Sequence, residues 1–419
     1  MNFATIFSDA FAGQSSVLWA DLWLGIKIFY TTSFIWLPVV LMTGAWKLWI
    51  TWKQSIFIFQ QKSILLEIRL PLDILKPPMS MELIIISLFQ TGGDATWIDR
   101  IIRGKSRPWF SLELVSLEGK VKFFMWARPA WKNHIESQIY AQFPGVEVYE
   151  VPDYTLPVKF DPEKLIMWGC EFALTKADPY PIKTYQNKDD YLLVVFPGTE
   201  TKFQVDPISA VIEFLGSVGP GEQVWIQIMI RAHKNDRPSS ARVWYNPFSW
   251  FAKADWKQDL KREIDSIKAR EKEGKKLATD DDTIKALDRS AGKFPFETGI
   301  RAMYVAEKEH FNPITISGLI GSFRQYNSNN MNGFKPVRTT GFNYPWQDYK
   351  NYRLDGKKRT LLDAYKRRSY FLPPHKRQHF ILNTEELATI YHFPSATVTT
   401  PGLARVPSKK GEPPANLPM

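Results

Sequence analysis

WFSLELV (Trp109–Val115) and KVKFFMWA (Lys120–Ala127) flank the pair Glu118-Gly119. Both runs are rich in β-branched and aromatic residues and read as strands. The Glu-Gly pair supplies the tight turn between them, so the stretch reads as a β-hairpin. An antiparallel sheet therefore lies at the centre of the fold.

Working outward, Ile64–Leu70 (ILLEIRL) alternates as a strand and ends at Lys76-Pro77-Pro78. Ser80–Gln90 has helical spacing, with Gly92-Gly93 as its stop. Trp131–Gln142 reads as a helix and Val146–Val151 as a strand. Strand, helix, strand, strand, helix, strand is the split βαβ order of ferredoxin-like domains, predicting a first unit over 64–160.

The order then restarts. Leu165–Thr175 is strand-like, and Pro207–Gly216 is a helix opened by Asp206 as N-cap, with Pro207 at its first position. Gly219-Pro220-Gly221 repeats the glycine stop, Glu222–His233 and Gly299–Ala306 are strands, and Pro313–Arg324 is a helix. This predicts a second, degenerate ferredoxin-like unit over 161–340. An insertion at 246–294 interrupts it. There Trp256, Leu260, Ile264 and Ile267 form a narrow apolar stripe in the charge-dense Lys253–Lys276. The expectation is a solvated helix resting one face on the body, with a coiled-coil or docking arm as the alternative. Asp280-Asp281-Asp282 reads as a loop or helix cap.

Before the first unit, Ile28–Trp46 (IFYTTSFIWLPVVLMTGAW) is uncharged and bracketed by Lys27 and Lys47. At ~1.5 Å per residue it is about as long as a hydrocarbon core is thick. The first twenty residues carry no Lys or Arg, unlike a secretory leader, and no charged face marks a surface-lying helix. The reading is one transmembrane helix at 28–46, after a short segment 1–27 and before a juxtamembrane linker 47–63. Trp19 and Trp23 precede it, and Trp46, Trp49 and Trp52 follow, as interfacial belts do. Lys47, Lys53 and Lys62 on the C-terminal side, against Asp9, Asp21 and Lys27 on the other, orient the bulk of the chain toward the cytoplasm.

A net charge of +11 favours anionic partners, either nucleic acid or lipid headgroups. The single cysteine, Cys170, excludes an internal disulfide and sits in the apolar run Leu165–Leu174, where a buried, inert thiol is expected. None of the Gly-Lys pairs at Gly104, Gly274, Gly292 and Gly356 belongs to a phosphate-binding loop. The six histidines, His134, His233, His310, His375, His379 and His392, have no cysteine cluster beside them. No Gly-x-Ser-x-Gly elbow occurs. These readings predict a protein that is not an enzyme, with no cofactor and no metal.

The suggestive constellation lies in the basic aromatic segment 341–380. Arg353, Lys357, Lys358, Arg359, Lys366, Arg367, Arg368, Lys376 and Arg377 are interleaved with Tyr352, Tyr365, Tyr370 and Phe371. Cations that neutralise phosphates, beside rings that stack on bases, suit a nucleic-acid strand. A basic linker against anionic lipid or an acidic partner is the plainer alternative. In 381–398, Asn383 and Glu386 read as N-cap and capping-box partner of a short helix, with Leu387, Ile390 and Tyr391 on one apolar face. The Pro- and Lys-rich tail 399–419 is expected to be extended and mobile.

LEIRLP (Leu66–Pro71), QTGGDATW (Gln90–Trp97), RPWFSLELVSLEG (Arg107–Gly119), IESQIYAQFPGVEVYEVPDY (Ile135–Tyr154) and the closing run with LNTEELATIYHFP resemble a bacterial membrane-anchored domain of unassigned function. That domain is similar to the N-terminal part of type IV secretion and conjugative-transfer proteins, where it often precedes a HerA- or coupling-protein-like ATPase. The resemblance implies a single-pass structural or adaptor component in the bacterial inner membrane, offering a cytoplasmic platform to a separate motor ATPase. Residues Leu387, Ile390 and Tyr391 are then candidates for docking that motor. This chain ends at Met419, where the larger relatives continue into the nucleotide-binding domain, so ATP hydrolysis is not carried over. The alternative is a membrane-tethered nucleic-acid-binding protein using 349–380.

Overall fold

The computed structural model describes residues 21–71, 76–93, 96–186, 194–195, 202–203, 206–234, 256–274, 279–342, 344–394, 402–403 and 405–406. Residues 21–31 are helical, Thr32 makes a turn, and helix α1 runs Ser33–Gln60 with Pro38 inside it. None of its residues is buried, and an 18-residue window of it, with a mean hydropathy of 1.4, is apolar enough to cross a membrane. The helix extends past the expected end at Trp46, through most of the predicted linker 47–63. The reason is that KLWITWKQSIFIFQ keeps apolar residues at helical spacing, and two lysines alone do not end a helix. The short helix Trp97–Ile101 is capped by Thr96, whose side chain accepts from the Asp99 amide. It belongs to the same unit as α1, where the backbone of Gly104 (φ +67°) lies against that of Lys53.

The second unit is built on one large, predominantly antiparallel sheet. Its first half contains β1 (Ile64–Pro71), α2 (Met79–Ser87), β2 (Phe110–Leu117), β3 (Lys120–Ala127), α3 (Lys132–Gln142) and β4 (Glu147–Val151). Its second half contains β5 (Leu165–Leu174), α4 (Ser209–Gly216), β6 (Glu222–Ala232), β7 (Pro295–Glu307), α7 (Pro313–Phe323) and β8 (Phe334–Val337), with α5 (Trp256–Lys272) and α6 (Asp280–Ala291) inserted between β6 and β7. Glu118 (φ 53°) and Gly119 (φ 80°) make the two-residue turn between β2 and β3, both in the left-handed region such a turn requires.

The strand order is β8-β5-β7-β6-β2-β3-β1-β4. Numbered within its own half, each set runs fourth, first, third, second, and all these pairs are antiparallel. The halves meet at β2 and β6, paired from Phe110↔Ile230 to Leu117↔Gln223.

Alternation divides the sheet into two faces. On one, Leu66, Leu112, Met125, Ile226 and Ile300 join the core with Ile84 of α2, Ile139 of α3, Ile212 of α4 and Leu319 of α7. The other face is polar and charged, with Glu113, Glu171, Arg231, Glu297, Arg301 and the amide of Gln227 all buried. It is covered by the segment containing α8 (Tyr352–Lys366). Two glycines admit that cover. A Cβ on Gly299 would collide with the Tyr370 ring, and one on Gly169 would lie 2.5 Å from Leu361 Cδ2.

The stripe Trp256, Leu260 and Ile267 of α5 packs on Leu287 of α6, with Ile264, Ile284 and Ile381 of the sheet body beside it, so the inserted helix rests its apolar face on a second helix and on the body. Asp280, Asp281 and Asp282 form the first turn of α6; residues 246–255 lie outside the described set. Two other expectations need correction, for the closing helix and for the tail. The closing helix α9 (Thr384–Ile390), entered from strand β9 (Phe380–Asn383), has all seven residues buried, so Leu387, Ile390 and Tyr391 are core residues and not a docking face. Within the expected mobile tail, Leu403 bridges to Val121, and β10 (Arg405–Val406) pairs with Leu70–Pro71. Residues 399–401, 404 and 407–419 lie outside the described residues.

Candidate functional site

Part of the basic segment's charge is committed to the acidic sheet face beneath it. Arg368 is buried and reaches Glu113 with Nε to Oε1 at 2.9 Å and Nη2 to Oε2 at 3.1 Å, while also pairing with Asp153. Arg377 Nε lies 3.3 Å from Glu171 Oε1, an oxygen shared with Arg301 Nε at 3.2 Å. Arg367 holds Asp363 on its own helix at 2.8 Å, and Lys366 donates to the Val158 carbonyl. Lys358 is half-buried, and that burial lowers its pKa.

The rings divide in the same way. Tyr365 is buried with its hydroxyl 2.9 Å from that of Tyr154, and burial pushes both phenols well up. Tyr370 is buried, donating to the Gln378 carbonyl at 3.1 Å. Phe371 is buried under the Arg231 guanidinium, 4.3 Å from its ring centroid. Arg368, Tyr365, Tyr370 and Phe371 are therefore unavailable to a strand of nucleic acid, correcting the expectation for those four. Tyr352, Arg353, Lys357, Arg359, Arg367 and Lys376 remain exposed on the surface.

The start of α8 organises that surface. Lys350 (φ 52°) and Asn351 (φ 61°) turn the chain through the left-handed region, uncommon for residues other than glycine. The Asp348 carboxylate then accepts from the amides of Arg353 at 2.8 Å and Leu354 at 2.6 Å, capping the helix. Lys357 Nζ sits 3.7 Å from the Phe342 centroid, with the Arg353 guanidinium 5.4 Å from the same ring. Arg353 also donates to the Gln347 carbonyl at 3.0 Å. One residue before Gln347, Trp346 stacks on Tyr344 with centroids 4.7 Å apart and planes 10° from parallel. Tyr344, Trp346 and Tyr352 are 52, 79 and 85 % exposed, so three aromatic side chains face solvent beside two cations.

Tyr344 and Trp346 were missed by sequence reasoning, which centred on the charge run beginning at Tyr349. The signal available was NYPWQDY immediately before it. The surface has the chemistry of adhesion: planar apolar area beside positive charge. Among the described residues no group of three or more His, Cys, Asp and Glu could hold a metal ion. Cys170 is buried, and burial raises its thiol far above the ordinary range.

No curated protein matches the chain. Residues 95–405 match a family described as a domain of unknown function (DUF8128), covering β2 to the start of β10 and including all of the exposed basic aromatic surface. That match takes in well over half of the sequence, and the protein therefore belongs to the DUF8128 family.

Proposed function

We propose that this protein is a non-enzymatic, single-pass membrane adaptor. In this reading α1 spans the bilayer, the sheet body is a rigid cytoplasmic platform of two ferredoxin-like units, and the Tyr344–Lys357 surface is its contact face. The observation that carries the reading is the division of the basic segment. Carboxylates on the sheet neutralise its buried cations, and one aromatic, positively charged surface is left facing solvent. Exposed Trp and Tyr beside Arg are characteristic of contact surfaces. The resemblance to conjugation-type proteins favours a type IV secretion or conjugation-like apparatus in a bacterial inner membrane, with a separate HerA- or coupling-protein-like ATPase as partner.

Purified full-length protein in nanodiscs, titrated with such an ATPase, tests this. Saturable binding is expected, weakened about tenfold or more by the double variant R353E/K357E. Equal affinity in wild type and variant refutes the contact face. Release of the full chain from vesicles by carbonate refutes the span.

The Tyr344–Trp346 stack supports a second reading, a membrane-tethered protein that guides a nucleic-acid strand. Single-stranded DNA would then bind with an affinity that falls steeply with salt, and R353E/K357E would flatten that slope. Absence of binding at low salt eliminates it.

A further inference from the structure

The deep arginines of the sheet body follow one rule. Arg107 and Arg231 share Glu297, Arg301 holds Glu171, and Arg368 holds Glu113 and Asp153. Arg128 departs from it. Its guanidinium lies over the indoles of Trp109 and Trp126, 4.8 and 5.0 Å from their centroids, and Nη1 donates to the backbone carbonyls of Gln61 at 3.0 Å and Lys62 at 3.3 Å. Among the described residues no carboxylate is within ion-pair distance of it. Burial, with nothing to offset it, draws its pKa down to about 10. A cation removed from water without a counter-charge is unfavourable, so the protein holds this one at a cost.

Arg128 borders a cavity of about 520 Å³. Gln61 and Lys62, the residues that follow α1 in the chain, form part of its wall. Lys62, Arg107 and Arg128 are in the lining, and no Asp or Glu is. Two polar atoms in that lining, Arg128 Nε and Ser106 Oγ, are buried with no hydrogen-bond partner. Both can donate, and with the Lys62 ammonium they match the needs of a tetrahedral oxyanion. The remaining walls include Trp109 and Trp131. The space therefore takes an apolar or neutral group beyond the anion itself.

We infer that this cavity is a binding site for a phosphate ester, with the phosphate at Arg128, Ser106 and Lys62 and its organic substituent against the tryptophans. Such a group reaches the site either as the headgroup of an anionic phospholipid or as a soluble phosphate compound. The inference does not depend on the adaptor reading, because the charge argument stands whatever α1 does.

The test uses the full chain in a neutral maltoside detergent, with native mass spectrometry and thermal midpoints as readouts. Dihexanoylphosphatidylglycerol, inorganic phosphate and dihexanoylglycerol, which lacks the phosphate, are the probes. One saturable adduct with phosphatidylglycerol is expected, about tenfold or more weaker in R128Q. The variants S106A and K62Q alter a single hydroxyl and an exposed side chain, and each is expected to weaken binding about threefold even if R128Q does not fold. An adduct that inorganic phosphate fails to displace identifies the lipid source; displacement identifies the soluble one. Equal binding of dihexanoylglycerol, no binding of either phosphate probe, or unchanged affinity in S106A and K62Q overturns the proposal.

Discussion

Arg368 and Glu113, 255 residues apart in sequence, meet in a two-pronged pair with Nε–Oε1 at 2.9 Å and Nη2–Oε2 at 3.1 Å, neither side chain exposed. The pair ties the segment after α8 to the middle of β2. Replacing one partner leaves the other charge buried, which typically costs ~3–5 kcal/mol. R368Q is therefore expected to lower the unfolding free energy by about that amount in urea titration, while R367E, on the exposed neighbour, changes it by less than about 0.5 kcal/mol.

Gly299 has a packing requirement. The Tyr370 ring occupies the place of a Cβ, so G299A must displace a fully buried ring. Overpacking of this kind costs about 1–3 kcal/mol. A lowered thermal midpoint is expected, partly restored by Y370L, which removes the ring from that position.

Acid should loosen the charged face. At Asp153, burial alone would raise the pKa, but the hydrogen bond and charge of Arg368, with bonds from Thr155, bring it below its ordinary 3.8. At Glu297 burial is likewise outweighed, by His233 and the cations Arg231 and Arg107, leaving its carboxyl far below the ordinary 4.5. The folded state thus binds fewer protons than the unfolded chain near these values. The stabilisation is complete above about pH 4–5 and is lost as pH falls through the depressed values. Urea midpoints at stepped pH should decline on the acid side, with a shallower decline in D153N.

Removal of residues 380–419 is expected to unfold the body and not merely release a partner. That segment brings Leu382, Leu387, Ala388, Ile390, Tyr391 and Phe393 to the core, and the Tyr391 hydroxyl donates to the Phe124 carbonyl at 3.1 Å. Loss of near-ultraviolet circular dichroism in the truncated chain checks this.

Cys170 offers an internal gauge of that state. Burial raises its thiol and hides it from reagents, so alkylation of the native chain should proceed only through opening. Mass spectrometry after iodoacetamide should show slow modification of wild type and fast modification of the truncated chain.

The sheet was legible where local chemistry decides structure. The Glu118-Gly119 turn, the alternation in β1 and the Asn383–Glu386 capping box were all readable in place. The basic segment was harder. Arg367 and Arg368 are identical in type and adjacent, yet one meets Asp363 four residues away on the surface and the other meets Glu113 in the interior. Nothing local separates them, because the deciding partner lies in another strand. The carboxylates set into apolar strands, Glu113 in SLELV and Glu171 in GCEFA, were the available hint that the sheet's second face needed covering by cations. Leu387 and Tyr391 were misplaced for the converse reason: an apolar helix face shows that something covers it, not whether the cover is the same chain.

The pairing of β2 with β6 has a consequence for any attempt to dissect the molecule. A single half made alone would leave one of these long strands naked along its hydrogen-bonding side, open to the same strand of another copy. Such a fragment should dimerise or aggregate where the tandem chain satisfies itself, so fusing the two halves in one polypeptide acts as a built-in guard against self-association.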